Sequence, residues 1–277
     1  MTQKPIQSRR RFLKTSMASA SAVMIGTNPR SVHASDTAKT KVRFDELLPY
    51  EFRTRLSERP IAYLPLGTLE WHGEHLALGS DAIQSEGLMV ECARQMGGIV
   101  MPPIHLGPDR AKPEGKGGML LGMDYAIQTT PPRQLDGSCY WISEGLHLEI
   151  VDAILSQLKR AGFKAVFADG HGPSRWSWVK NISEREARFG LKLFGVSEEI
   201  RGDWRSQVDH AAQNETSLMM HLRPDLVDLS KLPTSRDIWP QGVGGRDPRD
   251  ASASYGKECL QASVDLVRQV FSKAGML

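Results

Sequence analysis

The sequence predicts a single α/β domain of three layers, a mostly parallel sheet with helices on both faces. Three observations predict it. Short, unbroken apolar runs such as Ile61–Leu66 and Phe163–Ala168 have the character of strands buried on both faces. Longer amphipathic stretches alternate with these runs along the chain. The unusual polar residues sit just past the apolar runs, where open α/β sheets build their sites.

Taken in order, residues 35–58 are polar and mixed and read as a linker or N-terminal arm. Ile61–Leu66 is a strand ending at Gly67. Ala82–Met96 places Leu88, Cys92 and Met96 four apart, the face of a helix. Gly98–Met101 is a short strand stopped by Pro102 and Pro103. Residues 105–138, rich in Gly and Pro and without a period, read as one long loop. Gly145–Ala161 carries a strong apolar stripe with Lys159 and Arg160 at its end, and Gly162 terminates it. After the strand Phe163–Ala168, Ser174–Phe189 reads as a helix and Leu191–Val196 as a strand. Asn214–Leu222 is a helix stopped by Pro224, and Glu258–Phe271 a C-terminal one.

Composition narrows the function. Of the 277 residues, 40% are hydrophobic and 24% charged, which is ordinary globular usage and excludes disorder over most of the chain. Three cysteines are too few and too scattered for a disulfide scaffold or a cysteine zinc ribbon. The net charge of +3 belongs to residues 1–34, which hold six of the 35 basic residues and no acid; the remaining 29 face 32 acids, so the charge is no argument for nucleic-acid binding. Residues 8–14 read Ser-Arg-Arg-Arg-Phe-Leu-Lys, an apolar run follows from about Thr15 to Gly26, and Val32-His33-Ala34 offers a cleavage site. The paired arginines ahead of Phe12 and Leu13 resemble a twin-arginine export signal. Residues 1–34 are thus expected to be an address that sends residues 35–277 to the periplasm or otherwise out of the cytoplasm. The apolar run falls short of the roughly twenty residues of a spanning helix, so no permanent membrane anchor is expected.

Three segments carry chemistry. In Leu64–Asp81 a strand runs into a Gly turn, and Glu70, His72, His75 and Asp81 arrive within twelve residues. In an extended segment Glu70 and His72 share one side, while Asp81 stands at the mouth of a helix, where it could equally serve as a cap. In the second segment the strand ends in Asp169-Gly170-His171-Gly172, whose glycines allow a sharp turn that presents His171. In the third, His210 precedes Glu215-Thr216-Ser217 at a helix start, where Glu215 either complements the helix dipole or points into the same cleft. Imidazole and carboxylate together suit zinc, manganese or iron.

Together these segments resemble the creatininase family (creatinine amidohydrolase and relatives). Its pattern runs Gly-Ser-x-Glu-x-His-Gly-x-His-Leu, then Asp, then Asn-Gly-His-Gly-Gly-Asn, then His-Ala-Gly-x-x-Glu-Thr-Ser. Residues 64–81, 169–174 and 209–218 match in that order. The resemblance implies that Glu70, His72, Asp81, His171 and Glu215 ligate two divalent ions, zinc or manganese with iron(II) also compatible, and that Asp81 bridges them. It also implies catalytic roles for His210 and Glu215, a small-molecule amide substrate and a homo-oligomer, hexameric in some relatives. Pro173 stands where creatininase has a second carboxylate, which leaves that role to Glu215, and Asp169 and Ser174 replace family asparagines.

The expected reaction is hydrolysis of a non-peptide C–N bond, creatinine being one substrate. A metal-bridged hydroxide attacks the carbonyl and His210 supplies a proton to the leaving nitrogen. His75 and Asp169 are candidates for orienting the ligands, and Trp71, Trp176, Trp178 and Trp204 for walling a pocket. Glu74 is expected in solvent. Two rivals remain at this point: an exported binding protein that kept the fold without catalysis, and a metallo-phosphoesterase.

Overall fold

A computed structural model describes residues 41–115, 117–196 and 209–277. Residues 1–34, expected to be an export signal, and Trp204 lie outside the described residues. The chain enters through a helix, α1 (Pro49–Glu58), where a linker was expected. Its apolar stripe is only Phe52 and Leu56, too narrow to stand out in sequence. Pro49 starts it, the Glu51 carboxylate accepts the Leu48 backbone N–H at 2.8 Å, and Phe52 packs edge-on to Phe163.

The central sheet takes shape from β1 (Ile61–Leu66), followed by α2 (Ser80–Met96) and the short β2 (Ile99–Val100). Residues 105–138 are not a single loop. They hold an exposed hairpin, β3 (Ala111–Pro113) with β4 (Met119–Leu121), and a 3-10 turn over Gly122–Tyr125. Buried Asp124 organises this segment by accepting the backbone N–H groups of Leu121 and Leu135, both at 2.9 Å. The chain continues through α3 (Glu144–Ala161) and β5 (Ala165–Gly170).

The helix expected over Ser174–Phe189 is two, α4 (Gly172–Lys180) and α5 (Ile182–Phe189). The break falls at Asn181, whose amide donates to the Ser177 carbonyl at 2.8 Å and competes with the helical ladder. Then come β6 (Lys192–Phe194), α6 (Gln213–Leu222) and α7 (Ala253–Lys273). The last begins earlier than its apolar stripe because Ser252 caps it by accepting the Tyr255 N–H.

The sheet order is β2-β1-β5-β6, every pair parallel, with Ile61 to Leu66 registered on Ala165 to Gly170. Tyr63 and Phe167 face α2 and α7, where they meet Met89, Val264 and Phe271. Ala62, Leu64, Val166 and Ala168 face the other layer, with Val151 and Leu155 of α3 and Trp178 of α4. Helices thus cover both faces, which is why β1 and β5 are apolar at consecutive positions. No helix among the described residues is long and apolar enough to cross a membrane.

One glycine fixes the turn at the sheet's end. Gly170 has φ +142°, and a Cβ there would stand 1.8 Å from the Leu66 carbonyl oxygen. Only glycine lets β5 close on β1 and still turn His171 across the strand ends.

Candidate metal centre

Residues that follow β1, β2 and β5 meet at the C-terminal edge of the sheet. Glu70 is fixed by its backbone N–H to the Leu78 carbonyl at 3.0 Å, which closes the 70–78 loop. His72 Nδ1 bonds the Glu70 carbonyl at 3.1 Å and therefore carries the proton, so Nε2 faces inward. Asp81, second residue of α2, makes no cap; it points at His72, with Oδ2 3.7 Å from Nε2. His171 Nδ1 lies 3.0 Å from Ser174 Oγ, and its Nε2 is 3.6 Å from Glu70 Oε1.

Glu215 enters from the first turn of α6. Its Oε2 lies 3.6 Å from His72 Nε2 and accepts the Ala211 N–H at 2.7 Å. Ala211 holds a left-handed φ of +52°, a strained conformation that aims this N–H at the carboxylate. Asp209 caps the same helix through the N–H groups of Asn214 and Glu215.

Two donor sets result, Glu70/Asp81/His171 and His72/Asp81/Glu215, sharing Asp81; a third joins Glu70, His72 and His210. Glu70, His72, Asp81, His171 and Glu215 are each at most 4% exposed. Glu70 Oε2, His72 Nε2 and Asp81 Oδ2 are buried without a hydrogen-bond partner among the described residues. Buried polar atoms without partners are costly, and such atoms on residues that form these donor sets are what a cation satisfies. The nitrogen and oxygen donors fit zinc or manganese.

Electrostatics agree. Burial, and then neighbouring Asp81, hold Glu70 well above the usual carboxylate range, and burial pushes Glu215 up to about 8. Burial works against a charged His72, but Asp81, with Glu215 and Glu70, overrides it and pushes His72 up to about 10. Burial holds His171 down at about 4 and, with His72, His210 at about 3. Without a cation, protons must neutralise the carboxylates.

His210 sits at this centre but presents the opposite nitrogen from that of His72 and His171. Its Nε2 bonds the Trp71 carbonyl at 2.8 Å, its ring lies 4.4 Å from the His72 ring, and Nδ1 is 3.9 Å from Glu70 Oε1. The remaining predicted positions divide. His75 reaches Thr216 Oγ1 at 2.9 Å and ties the first loop to α6 without entering a donor set. Asp169 lies 3.7 Å from Arg175 and does not join the ligands, Glu74 is exposed, and Pro173 lies in the first turn of α4. Trp178 is core, Trp176 is half exposed, and Trp71 contributes its backbone carbonyl.

Two residues were missed because they lie in or just beyond the apparent loop. Continuing from β2, Ile104 pairs beside Leu66, and Gly107 bridges to Trp141. This brings Asp109 Oδ2 to 3.9 Å from His171 Nε2, and the Trp141 ring to 5.9 Å from the His171 ring. The Trp141 indole N–H is buried without a partner among the described residues. A lone Asp after Gly-Pro and a Trp after Cys-Tyr carry no spacing signal; only the strand-end geometry finds them.

Comparison with known proteins bears on the family and the fold. The family model described as creatininase, creatinine amidohydrolase, matches residues 45–271. A creatinine amidohydrolase of Pseudomonas putida is 25% identical over 265 residues, covering 82% of this chain and 96% of that protein. A mutant creatininase solved in complex with creatine has a TM-score of 0.65 at 21% identity, covering 84% of this chain and 98% of that one. A structure described as creatininase Mn gives 0.63 at the same identity and coverage, and a mutant of Zn–Zn type gives 0.65.

Proposed function

The chain belongs to the creatininase family, and from that premise we propose that it hydrolyses the C–N bond of a small amide, a cyclic amide such as creatinine or a close analogue, using two divalent metal ions. The observation that carries the reading is the burial, without partners, of Glu70 Oε2, His72 Nε2 and Asp81 Oδ2 on residues of the donor sets. Glu70, Asp81 and His171 would hold one ion and His72, Asp81 and Glu215 the other, with Asp81 common to both. The names of related structures, of Zn–Zn type and with Mn, support zinc or manganese. Bound ions supply acidity to water, lowering its pKa to ~7, and polarise a carbonyl.

The chain's own part is orientation and proton movement. His210 donates Nε2–H to Trp71 and so offers a neutral Nδ1 to the reaction space. There it accepts the proton of the attacking water as oxygen bonds to the carbonyl carbon. The resulting imidazolium returns that proton to the nitrogen as the C–N bond breaks. His210 is thus base first and acid second. The Glu70 carbonyl holds His72 in the tautomer that presents Nε2, and Ser174 orients the His171 ring so that its Nε2 faces inward.

The twin-arginine-type segment 1–34 supports export to the periplasm. Family membership supports a homo-oligomer, which sedimentation of the purified chain tests; a monomer removes that part of the reading. The main test is elemental analysis of the chain beside Glu70→Gln and Glu215→Gln, followed by assay of creatinine and other cyclic amides. About two ions per chain, fewer in both variants, and ring opening are expected. A chain that binds no zinc or manganese after reconstitution sinks the metallohydrolase reading and favours a binding protein.

A further inference from the structure

We propose that Asp109 is the fourth carboxylate of the metal centre, acting on the shell of the ion at Glu70, Asp81 and His171 and supplying negative charge there while the water on the ions is still neutral. The inference rests on the two-ion reading above.

The charge count motivates it. Glu70, Asp81 and Glu215 bring three negative charges to a place where two divalent ions bring four positive ones. A net charge in a buried, weakly polarisable site is expensive, so a fourth carboxylate stabilises the filled centre. Other nearby carboxylates are already engaged. Asp209 accepts two backbone N–H groups of α6, Asp169 lies 3.7 Å from Arg175, and Glu74 is exposed.

Asp109 is placed for the role. Its side chain is 6% exposed. Oδ1 accepts the Arg110 N–H at 2.6 Å and lies 3.7 Å from the guanidinium of that mostly exposed arginine, whose charge solvent screens. Oδ2 turns inward, 3.9 Å from His171 Nε2. That distance is too long for a hydrogen bond, and the Ser174 hydroxyl, 3.0 Å from Nδ1, keeps the ring turned so that Nε2 faces Asp109. A carboxylate oxygen and a ring nitrogen thus face each other too far apart to bond directly, with room for a cation or its hydration between them. Asp109 is in none of the close donor sets, so it acts on the shell around the ion and not as one of the nearest donors.

Gly122 supports the same conclusion. It has φ +49°, and a Cβ on it would stand 2.3 Å from Asp109 Oδ2 and 3.5 Å from Glu70 Oε2. The missing side chain is what lets Asp109 turn toward Glu70. The approach brings together two carboxyl groups that need either a proton or a cation between them.

The test is competition of Zn2+ and Mn2+ against a chromogenic chelator, on the full chain and on Asp109→Asn, Arg110→Gln and Glu70→Gln, with metal-free thermal unfolding of each. Asp109→Asn is expected to weaken one of the two ions by about 10- to 100-fold, the range for removing a partner of the ligand shell. Its metal-free melting temperature is expected to stay level, because asparagine keeps the oxygen that accepts the Arg110 N–H. Arg110→Gln should hold affinity within about threefold. Unchanged affinity in Asp109→Asn, with loss in Glu70→Gln, overturns the proposal and leaves the metal centre standing. A lowered metal-free melting temperature with unchanged affinity assigns Asp109 a purely structural part and overturns it too. An unmodified chain that binds neither ion removes the proposal and the metal centre together.

Discussion

His210 gives its Nε2–H to the carbonyl oxygen of Trp71 at 2.8 Å, and that single bond decides which ring nitrogen faces the metal centre. The donor that anchors the ring cannot also serve the reaction. The free Nδ1, kept neutral by burial and by His72, is left as an acceptor. His210→Ala is therefore expected to lower kcat by about 10²- to 10⁴-fold while both ions stay bound. Elemental analysis beside steady-state kinetics checks this; loss of metal together with activity would make His210 a ligand instead.

Metal binding should release protons. Glu215, pushed up to about 8, and His72, pushed up to about 10, hold protons at neutral pH that a divalent ion must displace. Affinity for zinc or manganese is expected to rise with pH across 6 to 8. Calorimetry in two buffers of different ionisation heat measures the proton count, and equal heats in both would contradict the expectation.

The metal-free chain carries a related signature. Burial raises the folded pKa of Glu215 from 4.5 to about 8. The folded state then holds the proton to higher pH than the unfolded one. The resulting stability is complete below pH 4.5 and is lost as pH rises through about 8. Metal-free Glu215→Gln lacks this loss, so its melting temperature should gain on the unmodified chain between those limits. Curves that run parallel would show that Glu215 titrates normally.

Ser174 is expected to act only through His171. Ser174→Ala removes the partner of Nδ1 at 3.0 Å and frees the ring to take the other tautomer. Metal affinity should fall by about 10- to 100-fold with the fold intact. Gly170→Ala should do the reverse, costing about 3 kcal/mol or more of stability, because its Cβ meets the Leu66 carbonyl at a positive φ. Denaturant melts and chelator competition separate the two effects.

Export is testable in a host with a twin-arginine pathway. Arg9→Lys with Arg10→Lys should keep the protein in the cytoplasm, and mass spectrometry of the exported form should find Ser35 at its N-terminus. An unchanged periplasmic yield from the double variant rejects the signal.

Much of this molecule is written locally. The runs in β1 and β5 are apolar at every position because both faces of a parallel sheet are covered, and such runs are legible. Glu70, His72, Asp81, His171 and Glu215 were named together from the resemblance of three short motifs to a family, and the fold gathers them into donor sets. Helix α1 was not, since two apolar residues make too faint a stripe. The remaining decisions belong to the tertiary structure. Asp109 reaches His171 only because the chain beyond β2 runs alongside the end of β1, and nothing in its neighbours announces that path. Which nitrogen of each histidine faces inward depends on a carbonyl or hydroxyl brought up by folding, at Glu70, Trp71 and Ser174. Residue type and spacing determine which donors the chain owns; only packing decides which lone pairs are left for a cation, because a hydrogen bond to one ring nitrogen settles the other.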